Sequence, residues 1–113
     1  MEKTMAETTI DLQNFRTPAS KVFTGRDRGE RVRKDSKIDQ LTDTAQHIVI
    51  VIPNDIRSIN PSFLEEFLHN AVMKLGKQGF NDKFQIENHG RYKVEDDLNE
   101  AIDRILRLEN ALA

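Results

Sequence analysis

The chain has 113 residues, 37% hydrophobic and 32% charged, with a formal net charge of −2. This allows one hydrophobic core but not two, and it is not the composition of a disordered polyelectrolyte. The lack of cysteine excludes disulfides and thiolate metal sites, and no apolar run approaches the roughly 20 residues a membrane helix needs.

The opening Met1-Glu2-Lys3-Thr4 is charged and lacks the apolar core of a signal peptide, so a cytoplasmic location is expected. Residues 1–7 are expected to be a flexible N-terminus and 8–113 a single domain. Thr8 to Leu12 alternates as a strand does, with Ile10 and Leu12 on one face and Thr9 and Asp11 on the other. Pro18 interrupts, and Val22-Phe23 reads as a short second extended piece. Thr24-Gly25-Arg26-Asp27 has the form of a capping box, and a helix should run from about Gly25 to Leu41. Gly25, Gly29 and Val32 share one stripe of that helix, while Ile38 and Leu41 lie near the opposite side. A break around Asp35-Ser36 would bring both sets inward. The two glycines would let the helix approach the sheet closely, at a cost of up to about 1 kcal/mol each in helix propensity.

Ile48 to Ile52 is an uninterrupted β-branched run, the pattern of a strand covered on both faces. Pairing should fade at Pro53, which has no N–H to donate. Asn60-Pro61 then starts a helix, with a preferred N-cap followed by a preferred first helical residue. Leu64, Phe67, Leu68, Ala71 and Leu75 fall at helical spacing and predict burial of Phe67 and Leu68, and Gly76 supplies a C-cap. Lys77 to Lys83 reads as a polar loop, Phe84 to Glu87 as a short strand, and His89-Gly90 as a turn. From about Glu95 to Leu112, the residues Leu98, Ala101, Ile102, Ile105, Leu108 and Leu112 line one helical face. Acidic Glu95, Asp96 and Asp97 sit where the helix dipole favours them. The predicted fold class is therefore α/β, in β-α-β-α-β-α order, with helices packed on a mixed sheet.

Chemistry is sparse in this sequence. The three histidines, His47, His69 and His89, are scattered, without a second ligand at metal spacing or a nucleophile in triad context. Glu65-Glu66 point about 100° apart on a helix, cannot share a reacting atom, and read as partners of the helix dipole. Gly25-Arg26-Asp27-Arg28-Gly29 lacks the endings of the nucleotide-binding loops. No enzyme, metal or cofactor is predicted.

The charge is uneven: Arg16 to Lys37 carries eight Lys/Arg against three Asp/Glu, a local +5. Arg26, Arg28, Arg31 and Arg33 are thus either a solvated helix face or a docking face for an anionic partner. Nucleic acid is the weaker match for that partner, because no aromatic is interleaved among the arginines to stack a base. Ser58 and Ser62 flank a helix start, as cap or solvated hydroxyls or as phosphorylation sites.

Ile48 to Ile52, Ile56, and Ile59-Asn60-Pro61-Ser62-Phe63-Leu64-Glu65-Glu66-Phe67 together resemble the central strand, loop and following helix of STAS-like domains. These are relatives of the anti-sigma-factor antagonists and of the sulphate-transporter C-terminal domain. In the STAS-like branch the junction reads apolar-Gly-Gln-Ala-Phe before an acidic helix turn, and Phe63, Glu65 and Glu66 fall on it. The segment Gly25-Arg26 to Arg33 resembles that branch's first helix, and the likeness spans roughly Thr8 to Leu106. The resemblance implies a non-enzymatic bacterial signalling module that binds a regulatory kinase-like ATPase or anti-sigma-type regulator through the strand–helix junction. On this chain the junction would be Asn54, Asp55, Arg57, Ser58, Asn60 and Ser62. True antagonists carry Asp-Ser-Ser-Gly there and are phosphorylated on the first serine. This chain has Asn60-Pro61-Ser62-Phe63, so that switch does not transfer to Pro61; Ser62 matches only the second serine. The alternative reading is a nucleic-acid-associated adaptor using the basic helix 25–34.

Overall fold

A computed structural model describes residues 7–112, with side chains through residue 107. Three parallel strands form the sheet: β1 (Glu7–Asp11), β3 (His47–Ile52) and β5 (Phe84–Asn88), in the order β1-β3-β5. A second, two-residue pair joins β2 (Val22–Phe23) to β4 (Ser58–Ile59), also parallel. The helices are α1 (Arg26–Ser36), α2 (Ile38–Thr44), α3 (Pro61–Lys83) and α4 (Glu95–Leu112). The expected mixed sheet is instead parallel in every described pair. The reason is connectivity, since each return to the main sheet passes through a helical crossover and so runs in the same direction.

The register sets the layers. Ile10, Ile50 and Ile86 lie side by side, as do Thr8, Ile48 and Phe84. This face meets the helices: Ile10, Ile48, Ile50, Ile52 and Phe84 share one core with Val32, Ile38, Phe63, Phe67, Leu68, Ala101, Ile102 and Ile105. Strands stepping in one direction through crossovers of one hand place all their helices on one side. The β-branched run had predicted two covered faces. On the second face, Val49 and Val51 are buried but lie outside that core, flanked by Thr9 and Gln85 and by Asp11 and Glu87. Neighbouring strands shield them rather than a second helical layer.

Several boundaries move for local reasons. Residues 1–6 of the expected flexible N-terminus lie outside the described residues, and Glu7 is already in β1. Leu12 is buried like Ile10, but it belongs to a 3-10 turn at Leu12–Phe15 rather than to the strand. The predicted capping box does not form. Gly25 is the N-cap of α1 at φ 92°, ψ 144°, with no side-chain cap hydrogen bond. The anticipated break falls at Lys37, in the left-handed region at φ 60°, and turns Ile38 fully inward.

Gly76 ends the first part of α3 as predicted, at φ 74°, ψ 175°, but residues 77–83, predicted as a loop, form a second helical segment beyond this kink. Phe80 explains the continuation: it is buried and stacks on Phe84 with ring centroids 4.5 Å apart. The start of α3 is as predicted, with Pro61 at its first position and the Asn60 side chain accepting from the Ser62 N–H at 2.9 Å. Helix α4 has the predicted span, with Ala101, Ile102 and Ile105 buried; the side chains of Leu108 and Leu112 lie outside the described residues.

Candidate functional site

The central strand ends at Ile52, and the chain crosses the carboxyl edge of the sheet before α3 begins. That crossing is a braced loop. Pro53, Ile56 and Ile59 point inward and are buried, while Asn54, Asp55, Arg57, Ser58 and Asn60 are exposed. Backbone pairing holds one side, with the Arg57 N–H donating to Lys21 O at 2.7 Å and the Asn60 N–H to Phe23 O at 2.9 Å. The turn after β5 holds another. The His89 N–H donates to Ile52 O at 3.0 Å, and the Tyr92 hydroxyl lies 3.2 Å from Ile59 O while also meeting the Asp97 carboxylate. Gly90 is needed for this fit, because a Cβ there would lie 2.8 Å from Asn54 O.

Arg16 provides the third brace. Its Nη1 and Nη2 donate to the two Asp55 carboxylate oxygens at 2.8 and 3.1 Å, and its Nε donates to Ser20 O at 3.1 Å. The hydrogen bonds from Arg16 hold the Asp55 carboxyl below its ordinary value, helped by the charges of Arg16 and Lys21, and the Arg16 pKa is raised in turn. The sign follows directly. A carboxylate with a depressed folded pKa adds stability above its unfolded value, near 3.9, and loses that stability as pH falls through the folded pKa. The denaturation midpoint of Asp55→Asn should therefore lie below the parent's at pH 7 and converge on it as pH falls; a gap unchanged with pH would show that the pair does not couple to folding.

Ser62 is half-buried, and its hydroxyl donates to Asn60 Oδ1 at 2.8 Å, so Asn60 caps both the backbone and the side chain of this residue. An open cleft of about 650 Å³ lies against the loop, lined by Lys21, Asn54, Asp55, Ile56, Arg57, Arg91 and Tyr92. Lys21, Arg91 and Tyr92 were not singled out from the sequence. They come from segments far apart in the chain, and only the parallel strand order gathers them.

The four arginines of α1 are divided by the structure. Arg33, with its side chain 16% exposed, donates from Nη1 to Glu66 O at 2.6 Å and lies near the Glu66 and Asp39 carboxylates. Arg26 pairs with Glu65 at 3.0 Å and with Glu66 at 3.6 Å. Arg28 and Arg31 make no ion pair among the described residues and line a separate open cleft of about 500 Å³ with Thr24, Gly25, Arg26 and Asp27. None of the four reaches the junction cleft.

Glu65 and Glu66 lie beyond the first turn of α3, so they are not dipole partners as expected. Glu65 is buried, with one carboxylate oxygen 3.0 Å from Arg26 and the other 3.8 Å from Arg104 of α4. It ties α1, α3 and α4 together at the floor of a cleft of about 520 Å³ that also includes His69 and Arg107. Glycine makes the α1–α3 approach possible: a Cβ on Gly29 would lie 2.4 Å from Phe63 O. The stripe had predicted close approach to the sheet; the close approach is to α3.

His47 meets Gln85, His69 meets Asn70, and His89 meets Glu87; no cluster of three metal-ligating side chains occurs among the described residues. No described helix is long and apolar enough to cross a membrane. Comparison with family models, with curated proteins and with solved structures gives no match for this chain.

Proposed function

We propose that the chain is a STAS-like, non-enzymatic interaction module of bacterial signalling that binds a regulatory protein, a kinase-like ATPase or anti-sigma-type regulator. The binding surface is the strand–helix junction of Asn54, Asp55, Arg57, Ser58, Asn60 and Ser62. The observation that carries this reading is the construction of the junction. Polar side chains stand exposed on a loop whose backbone is bonded to Phe23, Lys21 and Tyr92 and packed against Gly90, and whose Asp55 side chain is held by Arg16. A loop already ordered loses little entropy when a partner closes on it. The resemblance of Ile48 to Phe67 to the STAS-like junction supplies the class of partner. Arg31, exposed, and Arg28, half-buried, form a second basic surface, but it lies apart from this junction and has no aromatic residue lining it, so it does not favour the nucleic-acid reading.

Phosphorylation at Ser62, or its mimic, tests the surface. A negative charge at the second position of α3 suits the helix dipole, so Ser62→Asp should keep stability within about 1 kcal/mol of the parent. A phosphate or carboxylate there would meet a closely apposed partner. The partner would first be cross-linked in whole-cell extract, identified by mass spectrometry and purified. Titration should then show about tenfold or greater loss of affinity for Ser62→Asp and none for Ser62→Ala. Equal binding by Ser62→Asp and the parent would remove the junction from the interface.

A further inference from the structure

The carboxyl edge of the sheet carries a pattern of charge that the junction residues alone do not explain. Each of the three parallel strands sends one cation to it. Lys21 lies on the segment leaving β1, Arg57 on the loop leaving β3, and Arg91 on the turn leaving β5. All three are exposed, and none makes an ion pair among the described residues. The one carboxylate in the cleft, Asp55, is held by the bidentate Arg16 and lies near Lys21 as well, so a single negative charge there faces Arg16 in addition to the three cations. The cleft is thus strongly positive on a chain whose net charge is −2.

We propose that this cleft receives an acidic polypeptide segment of the partner, its carboxylates paired with Lys21, Arg57 and Arg91. The proposal rests on the partner-binding reading above and names the chemistry of the partner. Position supports it only in that the parallel strands bring all three loops to one edge of the sheet. Rigidity supports it as well. The Arg57–Lys21 backbone bond at 2.7 Å and the close fit of Gly90 against Asn54 fix the spacing of the three loops. Only the side-chain rotamers then remain to be ordered on binding.

The shape and chemistry of the cleft favour a polypeptide over other anions. At about 650 Å³, open and lined from three loops, it is much larger than a single phosphate or carboxylate. Nucleic acid lacks a platform here. Tyr92 is the one aromatic in its lining, half-buried and with its hydroxyl engaged by Ile59 O and Asp97, and one ring is not the series of stacking faces that successive bases use. Three cations in an exposed cleft should also make the association faster at low salt and weaker at high salt.

The probe is a fluorescein-labelled oligoglutamate peptide, with a labelled oligothymidylate beside it, both followed by anisotropy. The parent should bind the peptide saturably and prefer it to the oligothymidylate. Arg57→Glu/Arg91→Glu should weaken peptide binding by about tenfold or more, whereas Arg28→Glu/Arg31→Glu on the separate surface should leave it within about twofold. Thermal melts would confirm that both variants fold, and Arg57→Gln/Arg91→Gln replaces the reversal if its melting temperature falls. Peptide binding indifferent to the Arg57/Arg91 change, or tighter binding of oligothymidylate, would overturn the proposal. The purified partner separates this failure from failure of the underlying reading. Loss with Ser62→Asp but not with Arg57→Glu/Arg91→Glu would keep the junction and reject the acidic segment. Loss with neither would reject the junction itself.

Discussion

Truncation of Phe67 to Ala is expected to destabilise the protein by about 3–5 kcal/mol, a large part of the roughly 5–15 kcal/mol that holds a domain together. Phe67 is fully buried, and its ring lies 5.7 Å from that of Phe63, which in turn lies 5.1 Å from Phe23. The three rings run from the small β2–β4 pair into α3, so the cavity left by the truncation would open at the inner end of that row. The surrounding helices are close-packed and would relax only partly, which places the cost near the upper range for a large-to-small change. Met73, on the same helix but 38% exposed, is the control. Met73→Ala should shift stability by less than about 0.5 kcal/mol. Urea unfolding followed by circular dichroism measures both. A loss below about 1 kcal/mol for Phe67→Ala would mean that α3 does not pack as described.

Gly29→Ala is expected to be destabilising, against the sign that helix propensity alone would assign. In an exposed helix interior this change stabilises by about 1 kcal/mol. Here the new methyl group would lie 2.4 Å from Phe63 O and 2.9 Å from Glu66 Cβ. The first of these is backbone of α3 and cannot rotate away, so α1 must move outward. That movement stretches the Arg33–Glu66 carbonyl bond and the Arg26–Glu65 pair, both of which span the two helices. Overpacking of this kind costs typically about 1–3 kcal/mol, which against that gain leaves a net loss of up to about 2 kcal/mol. The midpoint of urea unfolding should fall with an unchanged slope. A rise in the midpoint would show that α1 and α3 are further apart than this.

The strongest local signals in the sequence were reliable because their physics is local. A β-branched run, an Asn-Pro helix start and a helical stripe from Leu98 to Ile105 each act within a few residues. They located β3, the start of α3 and the whole of α4. Together with the weaker strand readings at Thr8 and Phe84 they pointed to an α/β domain, which the structure has. The stripe of α1 and α2 also required a break, and the structure places it at Lys37. Resemblance rather than local chemistry drew attention to the junction, and its named residues do lie together on one loop and helix start, exposed except for the half-buried Ser62.

Other features depended on what met what across the fold. Gly76 breaks the helix with its positive φ, yet the chain beyond it forms a second helical segment rather than a loop, because Phe80 finds Phe84. Thr24 and Asp27 have capping spacing, but Gly25 takes the cap position at a φ that glycine tolerates. The β2–β4 pair is too short to show in any periodic pattern, and it exists because Phe23 and Ile59 are both buried and in register. Glu65 reads in sequence as an ordinary helix carboxylate; only the approach of α1 and α4 surrounds it with Arg26 and Arg104. Lys21, Arg57 and Arg91 are separated by tens of residues and carry no shared motif. They converge because parallel strands finish at one edge, and charges brought together by topology leave no spacing in the sequence to read.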